Sequence, residues 1–301
     1  MRQIKRLFDL LDNLSIEYKK LVKTSDLVSI GVGGTAIAVI YPNSFNDLSL
    51  IIKEFCEENI KFTVLGNGTN TYFTSEFYDG IVISTKKLNK VYVNRDSIVA
   101  QCGASMYSCC EVALKNSLGG LEFAYGIPGF VGGALYMNAS AFEKSISKLV
   151  NKSLVYDIKG NDIVSLDNQE HHFGEKYSIF MEKNFVVLET TFELYSKDKA
   201  LIYEEMYNNL KLRFDKQPID YPSAGSAFKR PKNAYASRLI DKAGLKGKGF
   251  GGAKVSDKHA GFIINSNNAT SYEINRLVEY IKCEILRNFD VFLEEEIIYV
   301  E

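Results

Sequence analysis

The stretch DLSLIIKEFCEENIKFTVLGNGTN constrains the fold more than any other part of the chain. Leu48, Ile51, Ile52 and Phe55 recur at i, i+3, i+4 and i+7, which is one face of a helix. FTVL, from Phe62 to Leu65, follows as a short buried strand, and the loop Gly66-Asn67-Gly68-Thr69-Asn70 leaves it directly. A second strand, GIVIS, ends near Ser84. The glycines admit positive φ, so consecutive N–H groups can point at a phosphate. Thr69 and the two asparagines add side-chain donors. An ordinary strand-exit turn has the same composition. The Gly-Lys-Ser/Thr ending of a P-loop and the GxGxxG dinucleotide fingerprint are both missing.

A second glycine segment, GIPGFVGGALYMNASA, carries Gly126, Gly129, Gly132 and Gly133 beside an apolar run. Either the backbone turns sharply in a packed core, or a flat ligand lies against it. Beside GNGTN the second option gains weight: one loop holds a pyrophosphate and the other covers a ring system. The surrounding region combines the strand SIVAQCG, a helix over Met106 to Asn116, and strand-like runs about a Gly160-Asn161-Asp162 turn, which predicts α+β structure with hairpins. From Lys199 the pattern changes to helix, loop, helix, glycine-rich turn and the strand GFIIN. A long helix follows, striped by Ile274, Leu277, Val278, Ile281 and Ile285, and EEEIIYVE is the expected last strand. The expected division is 1–85, 86–197 and 198–289, with 290–301 free to return to the first part.

Composition narrows the partners. The 36 basic and 37 acidic residues leave a net charge of −1, so no field favours nucleic acid or an anionic membrane. No run approaches the 18 or so apolar residues of a membrane span, and the first residues lack a signal-peptide core. A cytoplasmic monomer without membrane insertion is expected. The five cysteines have no regular spacing, and Cys109 and Cys110 read as small core residues of a helix. His171, His172 and His259 lack metal-site spacing, so no metal is expected.

In YPSAGSAFKRP, Ser226 stands between the small residues Gly225 and Ala227, with Lys229 and Arg230 following. Small neighbours let another molecule approach the backbone, and the two cations suit an anionic ligand. A proline-marked loop whose serine satisfies a turn has the same pattern. Glu294, Glu295 and Glu296 read equally well as a solvated acidic run at a strand end.

Together these segments resemble one family, the UDP-N-acetylenolpyruvoylglucosamine reductases of peptidoglycan synthesis. GNGTN resembles the GxGSN loop of the flavin-binding fold shared with vanillyl-alcohol oxidase. GIPGFVGGALYMNASA is similar to GIPGxxGGAxxMNAGA, and YPSAGSAFKRP to PSxGSxFxRP. AGLKGKGFGGAKVSDKHAGFIIN and FDVFLEEEI resemble the family's later motifs, so the likeness runs from about Leu27 to Glu296. It implies an α+β protein of the family's shorter subclass, with a two-part FAD-binding fold and a C-terminal α+β substrate domain. It implies non-covalent FAD, reduced by NADPH, and a UDP-sugar enolpyruvyl ether as the acceptor. FAD contacts would come from Gly66, Asn67, Gly68, Thr69 and Asn70, and from Gly126, Ile127, Pro128, Gly129, Gly133, Ala134 and Asn138. Ser226 falls on the serine that protonates the substrate carbon, and Glu296 on the glutamate that assists. Lys216, Lys229, Arg230, Lys254 and His259 are the candidate substrate contacts.

The chain departs from the pattern in four places. FGEKYSIF stands where the family has FGYRxSxF, so Glu175 takes the tyrosine place and Lys176 the arginine place. Lysine keeps the charge at the substrate carboxylate but loses the planar fork. Gly31 replaces an arginine, Thr69 a serine, and Ser140 a glycine; the last would crowd a flavin if the backbone required positive φ. Two outcomes follow: a reductase in which Lys176 is the third catalytic residue, or a flavin- or UDP-sugar-binding paralogue with altered or lost chemistry.

Overall fold

The computed structural model describes residues 2–301. The described residues form two compact units: residues 2–20, 38–67 and 80–211 in the first, residues 21–37, 68–79 and 212–301 in the second. One boundary falls inside the GNGTN loop, between Asn67 and Gly68.

In the first unit the amphipathic stripe behaves as its spacing predicts. Ser44 caps the helix Phe45–Glu57 by accepting the Asp47 N–H at 3.1 Å, and Leu48, Ile51, Ile52 and Phe55 are fully buried. Each such side chain contributes about 1.5–3 kcal/mol relative to exposure, which outweighs any single surface contact of the helix. Phe62–Leu65 pairs in parallel with Ile81–Ser84 in a four-stranded sheet. A five-stranded antiparallel sheet carries the hairpin Val150–Asp157 and Asp162–Asp167 beside Phe185–Glu193, Ser97–Gln101 and Val91–Asn94. The helix Met106–Lys115 buries Cys109 and Cys110 completely, and burial pushes the Cys109 thiol up to about 12, so it is inert at neutral pH.

In the second unit four antiparallel strands run in the order Ser223–Ser226, Phe262–Asn265, Ala253–Val255 and Gly249–Phe250. The helix Ser271–Phe289 packs against the last two, and its stripe of Ile274, Leu277, Val278, Ile281 and Ile285 is buried. Thr270 and Glu273 form a reciprocal capping box at its start. The final strand, Ile298–Val300, pairs in parallel with Thr71–Phe73. It begins after Glu296, so Glu296 precedes that strand rather than lying within it.

Candidate active site

The two glycine segments meet in the first unit. Gly66 leaves its strand beside Phe130, whose Cβ lies 3.6 Å from where a Gly66 Cβ would stand. The Asn67 amide donates to the Pro128 carbonyl at 2.6 Å. Gly126 holds φ +89, a conformation that favours glycine, and the Ile127 N–H closes a turn onto Ala124. Beyond Gly129 the short helix Val131–Tyr136 is anchored from below: Val131 N–H donates to Ala104 O and Gly132 N–H to Cys102 O, both at 2.8 Å. Gly132 faces Cys102, where a Cβ would sit 3.3 Å from the neighbouring atoms. Gly133 is exposed, and a Cβ there would meet nothing within 4 Å. Ala134 is buried.

These residues fit a flat cofactor such as FAD. An alanine at an open helical position stabilises by roughly 0.5–1 kcal/mol over glycine, yet this chain keeps glycine where no protein atom forbids a side chain. A ligand lying against that face supplies the missing reason.

Asn138 ends the same segment at φ +42 and is buried. Its amide donates to Gly174 O at 2.7 Å and its Oδ1 accepts the Ser147 N–H at 3.3 Å. Both ends of the side chain are therefore engaged within the protein. Gly174 and Tyr177 pair across a tight turn with Glu175 and Lys176 at its tip. Glu175 is exposed, while Lys176 is half-buried and holds φ +53. Asn138 thus anchors the turn that presents Lys176. Ser140 does not have the positive φ that made it a concern; it lies exposed in the strand Ser140–Ala141, where any residue is accommodated.

In the second unit Gly225 takes φ +77 immediately before Ser226, and its Cβ position is 3.9 Å from the Thr69 carbonyl. Ser226 pairs with Phe262, and the Glu296 N–H donates to the carbonyl of Ala227, the residue after Ser226, at 2.9 Å. Phe228 and Glu295 bridge antiparallel, and the Lys229 N–H donates to Glu294 O. Ser226 and Glu296, 70 positions apart in the chain, are carried on adjacent main chains. The acidic run is not uniformly solvated: Glu294 is exposed, whereas Glu295 pairs with Lys282 at 2.8 Å and Glu296 is half-buried. Asn70 donates to the Glu296 carbonyl at 2.8 Å.

The candidate substrate residues, all in the second unit, have separate surroundings. Lys216 is exposed at a helix end. Lys229 pairs with Glu294 at 3.4 Å, and the Arg230 guanidinium stacks 4.1 Å above the Tyr235 ring. Lys254 binds Asp257 at 2.7 Å, and that hydrogen bond raises its pKa. Lys254 also lines a cavity of about 140 Å³ with Tyr221, Ser256, Lys258 and Ser266; His259 does not. His259 accepts the Gly261 N–H on Nδ1, and burial lowers its pKa, so it is neutral at pH 7. Gly31 holds φ +66, so a side chain there would sit on a left-handed backbone.

Sequence patterns did not point to Ser29. Its N–H donates to Gly68 O at 2.9 Å and its hydroxyl to Ser223 O at 2.5 Å, tying the glycine loop to the strand of Ser226. No local signal marks a lone serine in such a role.

Comparison with known proteins agrees with this architecture. Residues 36–160 match the FAD binding domain, and residues 217–300 match the C-terminal domain of UDP-N-acetylenolpyruvoylglucosamine reductase. The UDP-N-acetylenolpyruvoylglucosamine reductase of Caldanaerobacter subterraneus subsp. tengcongensis is 44% identical over 269 residues, covering 89% of each chain. That of Clostridium tetani is 38% identical over 296 residues, covering 97% of this chain and 95% of its own. The crystal structure of the Thermus caldophilus UDP-N-acetylenolpyruvylglucosamine reductase superposes with a TM-score of 0.80 at 27% identity, over 95% of this chain and 99% of that one. With a flavin-type cradle in one unit, Ser226 and Glu296 on adjacent main chains in the other, and likeness along nearly its whole length, the chain belongs to the UDP-N-acetylenolpyruvoylglucosamine reductase family of FAD-binding oxidoreductases.

Proposed function

We propose that this protein reduces UDP-N-acetylglucosamine enolpyruvate to UDP-N-acetylmuramate in peptidoglycan synthesis, in the cytoplasm, with NADPH as the hydride donor. The observation that carries the reading is the Ser226–Glu296 juxtaposition, within a chain 44% identical to a reductase of that name. FAD, when bound, relays hydride from NADPH to the enolpyruvyl group. The reading keeps the division 1–85 and 86–197 for the cofactor and 198–289 for the substrate.

The chain's own residues supply binding and the proton. Ser226 Oγ delivers a proton to the carbon next to the one that receives hydride. Serine is a weak acid in water, so this transfer requires a strongly basic carbon and the exclusion of water by the bound substrate. Glu296 assists that transfer. Negative charge grows on the substrate carboxylate as the double bond is reduced, and the Lys176 ammonium stabilises it. Lys216, Lys229, Arg230, Lys254 and His259 contact the nucleotide-sugar.

The test is NADPH consumption by the FAD-loaded protein with and without UDP-N-acetylglucosamine enolpyruvate. Sugar-dependent oxidation that yields UDP-N-acetylmuramate supports the reading. Flavin that NADPH reduces but the sugar does not reoxidise would overturn it, leaving a paralogue altered at Glu175 and Lys176.

A further inference from the structure

Asn70 belongs to the glycine loop expected at the cofactor, and its side-chain amide also holds the approach to the last strand. Nδ2 donates to the main-chain carbonyl of Glu296 at 2.8 Å, and the Asn70 carbonyl accepts the Ile298 N–H at 2.9 Å. The two bonds grip the chain on either side of Ile297. A third, from Glu296 N–H to Ala227 O, fastens the same stretch to the strand of Ser226. On the other side of the loop, Ser29 joins Gly68 O to Ser223 O. The loop itself has little freedom: a Cβ on Gly68 would stand 2.2 Å from the Leu27 carbonyl. The segment 68–70 is therefore a post bonded directly to Glu296 and, through Ser29, to Ser223 at the start of the strand that carries Ser226.

We propose that Asn70 is a positioning residue for the protonation step, holding the main chain of Glu296 in register with Ser226. The proposal rests on the reductase reading above. Its physical basis is that general acids work only within hydrogen-bond reach of the reacting atom, and small misplacements carry large rate costs. Removing the amide leaves the Glu296 carbonyl without this donor and frees the approach to the last strand, with no change in the cradle formed by Gly66, Asn67 and Gly126 to Gly133.

Asn70→Ala in the FAD-loaded enzyme separates this role from cofactor binding. FAD affinity, the visible flavin spectrum and the rate of flavin reduction by NADPH should stay within about threefold of wild type, while reoxidation by the sugar falls by about 10–100-fold with little change in KM. Hydrogen exchange in the 290–301 segment should accelerate at the Glu296 and Ile298 amides. Ser29→Ala, at an exposed position, should give a milder form of the same split even if Asn70→Ala folds poorly. A loss of FAD affinity, or equal slowing of both half-reactions, would make Asn70 a cofactor ligand and overturn the proposal. Unchanged reoxidation in both variants would overturn it as well. A wild-type protein that the sugar never reoxidises sinks the reductase reading instead, and is recognised before any variant is measured.

Discussion

Asn67 and Pro128 stand 61 positions apart in the chain, and the Asn67 amide donates to the Pro128 carbonyl at 2.6 Å. That bond closes one glycine loop onto the other, and Gly133, further along the second segment, has no protein atom within 4 Å of where its Cβ would stand. Gly133→Ala is therefore expected to separate stability from cofactor binding. The FAD-free protein should be as stable as wild type or gain up to about 1 kcal/mol, because alanine favours the helix. FAD affinity should fall, since the new methyl enters the cradle. Thermal melts of the FAD-free protein and fluorescence titration with FAD check both halves. Equal FAD affinity would move the cofactor away from this face.

Ser226→Ala should lower turnover by about 10²–10⁴-fold, the usual contribution of a positioned proton donor. Flavin reduction by NADPH should be unaffected. Stopped-flow measurement of the two half-reactions tests this, and an unslowed reoxidation would remove Ser226 from the chemistry.

Lys176→Ala should slow reoxidation by about 10²–10³-fold, as for loss of one electrostatic stabiliser of developing charge. Lys176→Arg should retain activity or raise it, because the guanidinium offers two parallel donors to a carboxylate. The backbone at φ +53 is equally strained under either side chain, so the comparison isolates the head group. Steady-state kcat against KM for the two variants decides it.

Lys197 and Glu122 form an internal ion pair at 2.9 Å, with the Glu122 side chain only 1% exposed. Burial disfavours the Lys197 charge, but hydrogen bonds to Glu205 and Glu122 raise its pKa overall. Lys197→Met leaves the Glu122 carboxylate buried with the Gly120 N–H as its remaining bond of this network. A loss of about 3–5 kcal/mol is expected from uncovering one partner of a buried pair. Urea denaturation measures it.

Stability should also fall on the acid side of neutrality. His171 is fully buried, with Nδ1 2.8 Å from Asp167 O and Nε2 2.9 Å from Ser153 Oγ, and burial lowers its pKa below 6.5. Burial lowers that of His259 as well. Below 6.5 the unfolded chain takes up protons that the folded chain resists. The stability contributed by these neutral histidines is therefore complete above that value and declines as pH falls towards the folded values. Urea midpoints should drop between about pH 7.5 and 5.5, and less so in a His171→Gln, His259→Gln double variant. A flat profile in the wild type would show that these imidazoles protonate freely in the fold.

Elements with a local cause are legible in the residues alone. Leu48, Ile51, Ile52 and Phe55 specify a buried helix face because a 3.6-residue period places them on one side, and the stripe from Ile274 to Ile285 does the same. The glycine loops and the serine between small residues were legible for the same reason: small side chains are a local property. The protein partners of the asparagines are visible only in the folded chain. All three are expected cofactor contacts, and the fold gives each a partner in the protein as well: Asn67 binds Pro128, Asn138 binds Gly174, and Asn70 binds Glu296 across 226 positions. A hydrogen bond between segments so far apart leaves no period or spacing in the sequence, because its partner is chosen by how the chain packs. Ser140 shows the converse. A serine in place of glycine suggests crowding in the sequence, but the backbone at Ser140 lacks positive φ and accommodates the side chain without strain.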